Sequence, residues 1–513
     1  MTETLAQLIA DHPDAAPAIG APGRESMSHG QLRAQVARTR ADLAAAGIGR
    51  GDRVALVLPN GPEMAVAFLA VAQSAATAPL NPAYREEELD FYLGDLRARA
   101  LVLAAGDDGP AAAAASRRGL PILHLAPVTD GPAGTFTLGG ETAPPPADSA
   151  APVPDDVALI LHTSGTTSRP KIVPLTHANL AASARHIAAA LALAPTDGCL
   201  NVMPLFHIHG LVAALTASLA AGGATWCAPG FDALRFFGWL EEARPSWYSA
   251  VPTMHQAILA RAGRNPDAVA RADLRLIRSS SAALPPSVMR RLSETFGAPV
   301  IESYGMTEAT HQMASNPLPP RRQKPGSVGL PAGPAMRTAD PADPRLLAPG
   351  ATGEVVISGP NVTPGYEANP DANAKSFFQA EGRRWFRTGD EGAFDADGYL
   401  HLTGRLKEII NRGGEKVSPL EVDAVLLDHP AVAQAVTFAL PHPKLGEEVA
   451  AAIVLAEGAE ADERSLRDFA AQRLADFKVP RRVVIVEEIP KGATGKVQRI
   501  GLAERLGLAG AAA

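Results

Sequence analysis

The stretch His162-Thr163-Ser164-Gly165-Thr166-Thr167-Ser168-Arg169-Pro170-Lys171 decides how this chain is read. It follows an apolar run over 157–161 that reads as a buried strand, and it precedes a helix-like stretch over 177–192. Between the strand and Lys171 the loop is mostly hydroxyl side chains with one glycine. Hydroxyls and backbone N–H groups can wrap a polyphosphate, and a lysine adds a point charge. No Gly-Lys-Ser/Thr ends the loop, so it is not a Walker A motif. The same composition also fits a plain solvated loop, and the choice depends on the rest of the chain.

Outward from this loop, short apolar runs alternate with longer amphipathic ones. Residues 54–58, 100–103 and 274–277 read as further strands, and 63–76 and 286–296 as helices. That alternation predicts an α/β fold: a large N-terminal domain of layered sheets and helices over 1–404. Residues 105–120 and 127–156 are rich in Ala, Pro, Gly and Asp and read as surface connections. The texture changes near residue 405. Ser418 suits a helix cap, Pro419 the first helical position, and Glu421 the far half of a capping box. Strands are expected over 432–438, 449–455 and 483–486, with a helix over 463–474. Residues 405–513 thus make a small α+β domain.

Other short motifs carry chemistry. In Glu302-Ser303-Tyr304-Gly305-Met306-Thr307-Glu308 a strand runs into a loop with an aromatic, a hydroxyl and a carboxylate. The aromatic could stack on a base, and the carboxylate could hold Mg²⁺ beside phosphates. Thr388-Gly389-Asp390, with Arg405 further on, suits ribose hydroxyls. Pro490-Lys491-Gly492-Ala493-Thr494-Gly495-Lys496 presents a lysine after two glycines. Each alone also reads as an ordinary turn, core tyrosine or solvated loop.

The 513 residues carry a formal charge of -7 with both signs interspersed, which argues against a nucleic-acid binder. The two cysteines, Cys199 and Cys227, have no metal-ligand spacing. The N-terminus has no signal-peptide pattern, and the apolar stretch over 208–221 is too short to span a membrane. A cytoplasmic protein with no membrane partner is expected, as a monomer or a homodimer.

Taken together and in this order, the motifs resemble those of the adenylate-forming superfamily of acyl-CoA synthetases, nonribosomal peptide adenylation domains and luciferases. The resemblance covers nearly the whole chain. It departs from the commonest phosphate loop only at Ser168 and Ile172, where glycines are usual. It implies that ATP and Mg²⁺ are used to make an acyl-adenylate, and that the acyl group passes to coenzyme A. On these positions, Thr163, Ser164, Gly165, Thr166, Thr167 and Lys171 would hold phosphates, with Glu302 and Ser303 also beside the nucleotide. Tyr304 would stack on adenine, Thr307 would touch phosphate, and Glu308 would ligate Mg²⁺. Asp390 and Arg405 would hold the ribose, and Lys496 would bridge the attacking carboxylate and the α-phosphate. The small domain would be mobile about Lys407, bringing Gly413, Gly414 and Lys416 to a tunnel for the thiol.

Within the superfamily, Pro204–Leu211, Arg278–Leu284 and Met306–Met313 resemble the oxalate–CoA ligases. A tunnel for a fatty acid would be apolar. Here histidines and a serine triplet fall in segments expected to border the acid, and His207, Ser281 and His311 are the candidates to touch it. Other readings are a CoA ligase for another short, aryl or medium-chain acid, or a catalytically dead nucleotide-binding protein.

Overall fold

A computed structural model describes residues 3–146, 148–163, 170–490 and 498–508. Up to Arg405 the chain builds three sheets. The first is seven-stranded, with a parallel centre of Arg53–Val57, Ala76–Pro79, Ala100–Ala104, Ile122–Pro127 and Val157–Thr163. Its edges, Phe136–Gly139 and Lys171–Thr176, are antiparallel. The second is nine-stranded, centred on parallel strands Ala224–Cys227, Gly198–Asn201, Trp247–Ala250, Leu276–Ser279 and Val300–Met306. Parallel strands covered on both faces are apolar throughout, as Trp247–Ala250 nearly is. Leu276–Ser279 breaks that rule by burying Arg278 completely.

One continuous core joins residues of both sheets with the helices packed around them. Helix Pro62–Val71 is buried at every position except Glu63, so it is apolar on all sides rather than along one stripe. The apolar stretch over 208–221 is a π-helix, His209–Thr216, continuing as helix Ala217–Ala220. Among the described residues no helix is long and apolar enough to cross a membrane.

The third sheet holds Ala335–Ala339, Gly353–Ser358, Phe377–Ala380, Arg383–Phe394 and Leu400–Arg405. Lys407 lies in the turn that follows, before strand Ile410–Arg412 opens a separate five-stranded sheet. That sheet also contains Glu415–Val417, Val432–His442, Gly446–Leu455 and Arg482–Ile485, with helices Pro419–Leu427 and Glu463–Ala471. The whole is an α/β fold of layered sheets with a small α+β unit at the C-terminal end.

Several local expectations change, among them the following. The helix expected over 63–76 stops at Val71, because Gln73–Ala75 turn and residue 76 already pairs with the first sheet. Residues 105–120 hold helix Pro110–Arg117, with Pro110 at its first turn and an alanine run behind it. Residues 127–156 contribute the edge strand Phe136–Gly139. At Ser418 only half of the capping box forms: its Oγ accepts from the Glu421 N–H at 3.2 Å. The Glu421 carboxylate instead pairs with Lys478 Nζ at 2.7 Å.

Candidate active site

Thr163 and Lys171 are register partners at the loop end of the hairpin formed by Val157–Thr163 and Lys171–Thr176. The phosphate-loop candidates Ser164, Gly165, Thr166 and Thr167 lie outside the described residues, as does Lys496. Lys171 Nζ stands 4.4 Å from the centre of the Tyr366 ring, and the Tyr366 hydroxyl donates to Glu308 Oε1 at 2.8 Å. Burial and the Glu308 carboxylate both raise the Tyr366 phenol, so it stays a donor. Lys171, Tyr366 and Glu308 therefore form one chain of contacts. The sequence reading missed Tyr366, which lies 58 residues from Glu308.

Glu308 belongs to a short turn, Thr307–Ala309, between strand Val300–Met306 and the antiparallel return His311–Ser315. The two strands meet so closely that a Cβ on Gly305 would lie 1.8 Å from the His311 carbonyl oxygen. Only glycine fits there. Thr310 and His311 both take positive φ, +50° and +92°. Non-glycine residues rarely do so, and such strain gathers at functional sites. Among the described residues no group of three or more His, Cys, Asp or Glu could cage a metal. A single carboxylate such as Glu308 fits Mg²⁺ when phosphate oxygens complete its shell.

The Tyr304 hydroxyl donates to Asp390, which raises the Tyr304 phenol further beyond what burial does. Asp390 is also the ladder partner of Arg405, whose Nε lies 3.3 Å from its carboxylate. Thr388-Gly389-Asp390 is not a free turn: it forms an irregularity inside the long strand Arg383–Phe394. The side chains of Glu302 and Ser303, expected beside the nucleotide, bond to the loop ahead of helix Pro286–Phe296 and to the antiparallel return strand respectively. Glu302 accepts from the Leu284 N–H at 2.9 Å, and Ser303 Oγ meets Ser315 Oγ at 3.2 Å. Burial pushes the Glu302 carboxyl up to about 8. Both are almost fully buried, Glu302 where its strand pairs in parallel with Leu276–Ser279 and Ser303 where it pairs with the antiparallel return.

Among the residues expected to touch the acid, Ser281 Oγ lies 3.0 Å from His209 Nδ1, and His209 Nε2 lies 2.6 Å from Ser249 Oγ. The His209 and His311 rings are 5.1 Å apart, and Arg278 Nη2 is 3.4 Å from His311 Nδ1. Ser281 also takes positive φ, +73°. The structure thus joins two candidates, Ser281 and His311, through His209 and Arg278, which were not among them. Both lay in quoted segments, but only the sheet register of Ser249 with Arg278 reveals their meeting. His207 lies two residues ahead of the π-helix, its ring 4.8 Å from Phe206.

Gly413 and Gly414 form the two-residue turn of the hairpin Ile410–Arg412/Glu415–Val417, with φ of +59° and +96°. A hairpin turn with two positive φ values needs such residues whatever passes by it. Lys416 Nζ is 3.9 Å from Glu391 of the third sheet, and Ser418 Oγ donates to the Thr403 carbonyl. The small unit therefore touches the third sheet beside the Asp390–Arg405 pair.

The chain matches the model of the AMP-binding enzyme family over residues 5–367, and that of the AMP-binding enzyme C-terminal domain over 421–496. It is 49% identical over 499 residues to a probable CoA ligase, CCL9, of Humulus lupulus, covering 95% of this chain and 93% of that protein. It is 47% identical over 490 residues to an oxalate–CoA ligase of Arabidopsis thaliana, covering 94% of each. The ATP-bound crystal structure of MatB from Rhodopseudomonas palustris superposes with a TM-score of 0.87 at 31% identity, covering 98% of this chain and 99% of that one. The chain belongs to the AMP-binding, adenylate-forming enzymes, as an AMP-forming acid–CoA ligase that activates a carboxylic acid through its adenylate.

Proposed function

We propose that the acid is oxalate, and that the enzyme converts oxalate, ATP and coenzyme A to oxalyl-CoA, AMP and pyrophosphate. The observation that carries this reading is the acid-side cluster. Arg278 meets His209, Ser249, His311 and Gln312 there, none of them a carboxylate, and Ser281 joins through His209. Oxalate carries a second carboxylate directly beside the reacting one, and a buried charge needs partners. An alkyl chain would leave these donors unpaired, which disfavours fatty acids. The likeness to an oxalate–CoA ligase supports the same choice.

A carboxylate is a poor acyl donor because its leaving group would be oxide. In the first half-reaction its oxygen bonds to the α-phosphorus of ATP and the bond to pyrophosphate breaks. In the second, the CoA thiolate bonds to the acyl carbon and AMP leaves with the electron pair. All reactants are anionic, so the residues must neutralise charge while aligning them. Thr163 to Lys171 and Thr307 would hold phosphates. Tyr304 would lie against adenine, its hydroxyl anchored by Asp390, and Asp390 with Arg405 would hold the ribose. Glu308, oriented by Tyr366, would hold Mg²⁺ together with phosphate oxygens, and the ion supplies charge neutralisation when bound. Lys496 would stand between the attacking carboxylate and the α-phosphate.

The same reading makes 405–513 a unit that turns about Lys407 between half-reactions, bringing Gly413, Gly414 and Lys416 to the thiol. Lys407→Pro would fix φ near roughly -65°. Pyrophosphate release should persist while thioester formation fails, and wild-type thioester rates would sink the hinge. The acid is tested by pyrophosphate release with oxalate, malonate, acetate, octanoate and a cinnamate. Oxalate should give the highest kcat/KM. Octanoate or the cinnamate outcompeting it would refute the substrate and leave adenylation intact.

A further inference from the structure

Arg278 is an anomaly in a parallel sheet. It lies on Leu276–Ser279, in register with Ser249 and Ile301 of the flanking strands, and is 0% exposed. Buried arginines are ordinarily paired with a carboxylate. Here Nη1 faces His209 Nε2 and Ser249 Oγ, each at 3.4 Å. Nη2 faces His311 Nδ1 and Gln312 Oε1, each also at 3.4 Å. Nε has no hydrogen-bond partner among the described residues. Four long contacts to neutral groups are weak compensation for a guanidinium taken out of water. Burial lowers its pKa to about 9, so it still carries its charge at neutral pH.

The geometry also fixes proton positions. A guanidinium only donates, so the ring nitrogen facing it must hold a lone pair. His311 Nδ1 therefore accepts, which leaves the proton on Nε2. His209 Nε2 likewise accepts, from Arg278 and from the Ser249 hydroxyl at 2.6 Å. Its proton is then on Nδ1, which donates to Ser281 Oγ at 3.0 Å. That bond occupies a lone pair of Ser281 and directs the Ser281 hydroxyl proton elsewhere. Ser281 is only partly buried, and Ala282 and Ala283 after it are exposed, so this is the end of the chain of contacts that opens outward.

We infer that Arg278 is a positioning and specificity-determining residue: from beneath the acid site it sets His209 and His311 in the tautomers that turn Ser281 and His311 into donors, and its unmatched charge admits a second carboxylate. This rests on the proposed dicarboxylate reading and adds to it the residue through which the second charge is accepted. Arg278 does not touch the acid. It acts through the groups that do.

The test compares oxalate with oxamate, which has the same shape but an amide in place of one carboxylate. Wild-type enzyme, R278K and R278Q are assayed for pyrophosphate release with both acids, and the KM for ATP is measured. R278Q should lower kcat/KM for oxalate about 100-fold and for oxamate only about 3-fold, with the ATP KM unchanged. R278K keeps the charge without the fork and should retain part of the oxalate preference. It carries the test if R278Q does not fold. In ¹⁵N spectra of histidine-labelled protein, assigned with H311N and H209N, the wild type should show His311 protonated on Nε2 and His209 on Nδ1, and R278Q should lose that assignment. Equal losses for both acids, or unchanged tautomers in the variants, would overturn the inference. A wild-type enzyme that prefers oxamate would overturn the acid reading instead, and the tautomer spectra would still judge Arg278.

Discussion

The proposed nucleotide side and the proposed acid side share strand Val300–Met306 and its return, yet they balance charge in opposite ways. On the nucleotide side, cations and anions already answer one another: Arg405 meets Asp390, and Lys171 reaches Glu308 through Tyr366. On the acid side, Arg278 is surrounded by imidazoles, a hydroxyl and an amide. A site that must bind and release a nucleotide every turnover gains from groups that stay paired when it is empty. If the acid is oxalate, as proposed, a site that must reject monoanions gains from a cation that stays unsatisfied until the right dianion arrives.

The largest expected effect concerns what neither side supplies. Lys171, Arg405 and Arg278 are all engaged as just described, and the proposed function assigns the charge developing at the α-phosphate to Lys496. Lys496→Ala should slow ATP-dependent pyrophosphate release by about 1000-fold, as for loss of a main electrostatic stabiliser. Thioester formation from supplied oxalyl-adenylate should stay within a few-fold of wild type. Equal damage to both half-reactions would mean that one of the described cations does this work.

Next, the two sides should fail in different parameters. Ser281→Ala should lower kcat/KM for oxalate by roughly 10- to 100-fold and leave the ATP KM nearly unchanged. Asp390→Ala should raise the ATP KM by a similar factor and leave the ranking of acids intact. If both variants move the same parameter, the division of the cleft is wrong. A smaller effect is expected from Tyr366→Phe, which removes one hydrogen bond to Glu308. The Mg²⁺ concentration for half-maximal rate should rise about 3- to 10-fold, and an unchanged Mg²⁺ profile would separate Tyr366 from the metal.

The smallest effect on activity comes from Glu302. Its carboxyl is raised to about 8 in the folded chain, above its ordinary value of 4.5. The folded state then holds a proton that the unfolded state has released, so this group's stabilisation is present below that ordinary value. It is lost progressively as pH rises toward about 8. Tm should fall across that window more steeply in wild type than in Glu302→Gln, while activity at neutral pH changes little. Parallel Tm profiles would show that Glu302 is ionised in the fold.

What could be read in advance follows the range of the interactions. Helix 286–296 and the order of the nucleotide motifs depend on neighbouring residues and stand in the sequence as they stand in the fold. Helix Pro110–Arg117 was hidden by composition: alanine and proline suggested a linker, although proline at a first turn followed by alanines is a helix start. The acid site was only half legible. Ser281 and His311 lie in polar segments, but the Arg278–His209 and His209–Ser281 contacts bridge 69 and 72 residues. No local pattern encodes a meeting set by strand order.

The π-helix that begins at His209 has a bearing on how such a pocket could arise or be lost. A π-turn accommodates one residue more than an α-turn, and one residue rotates an α-helical position by about 100°. Shortening the segment 210–216 by a single residue would restore ordinary helix and swing its side chains around the axis relative to Ser249 and Ser281, with every amino acid of the cluster still present. The acid site is therefore written partly in chain length. Grafting its histidines, serine and arginine onto a relative with an uninterrupted α-helix here would transplant the composition without the arrangement, whereas an insertion or deletion could switch the pocket in one step.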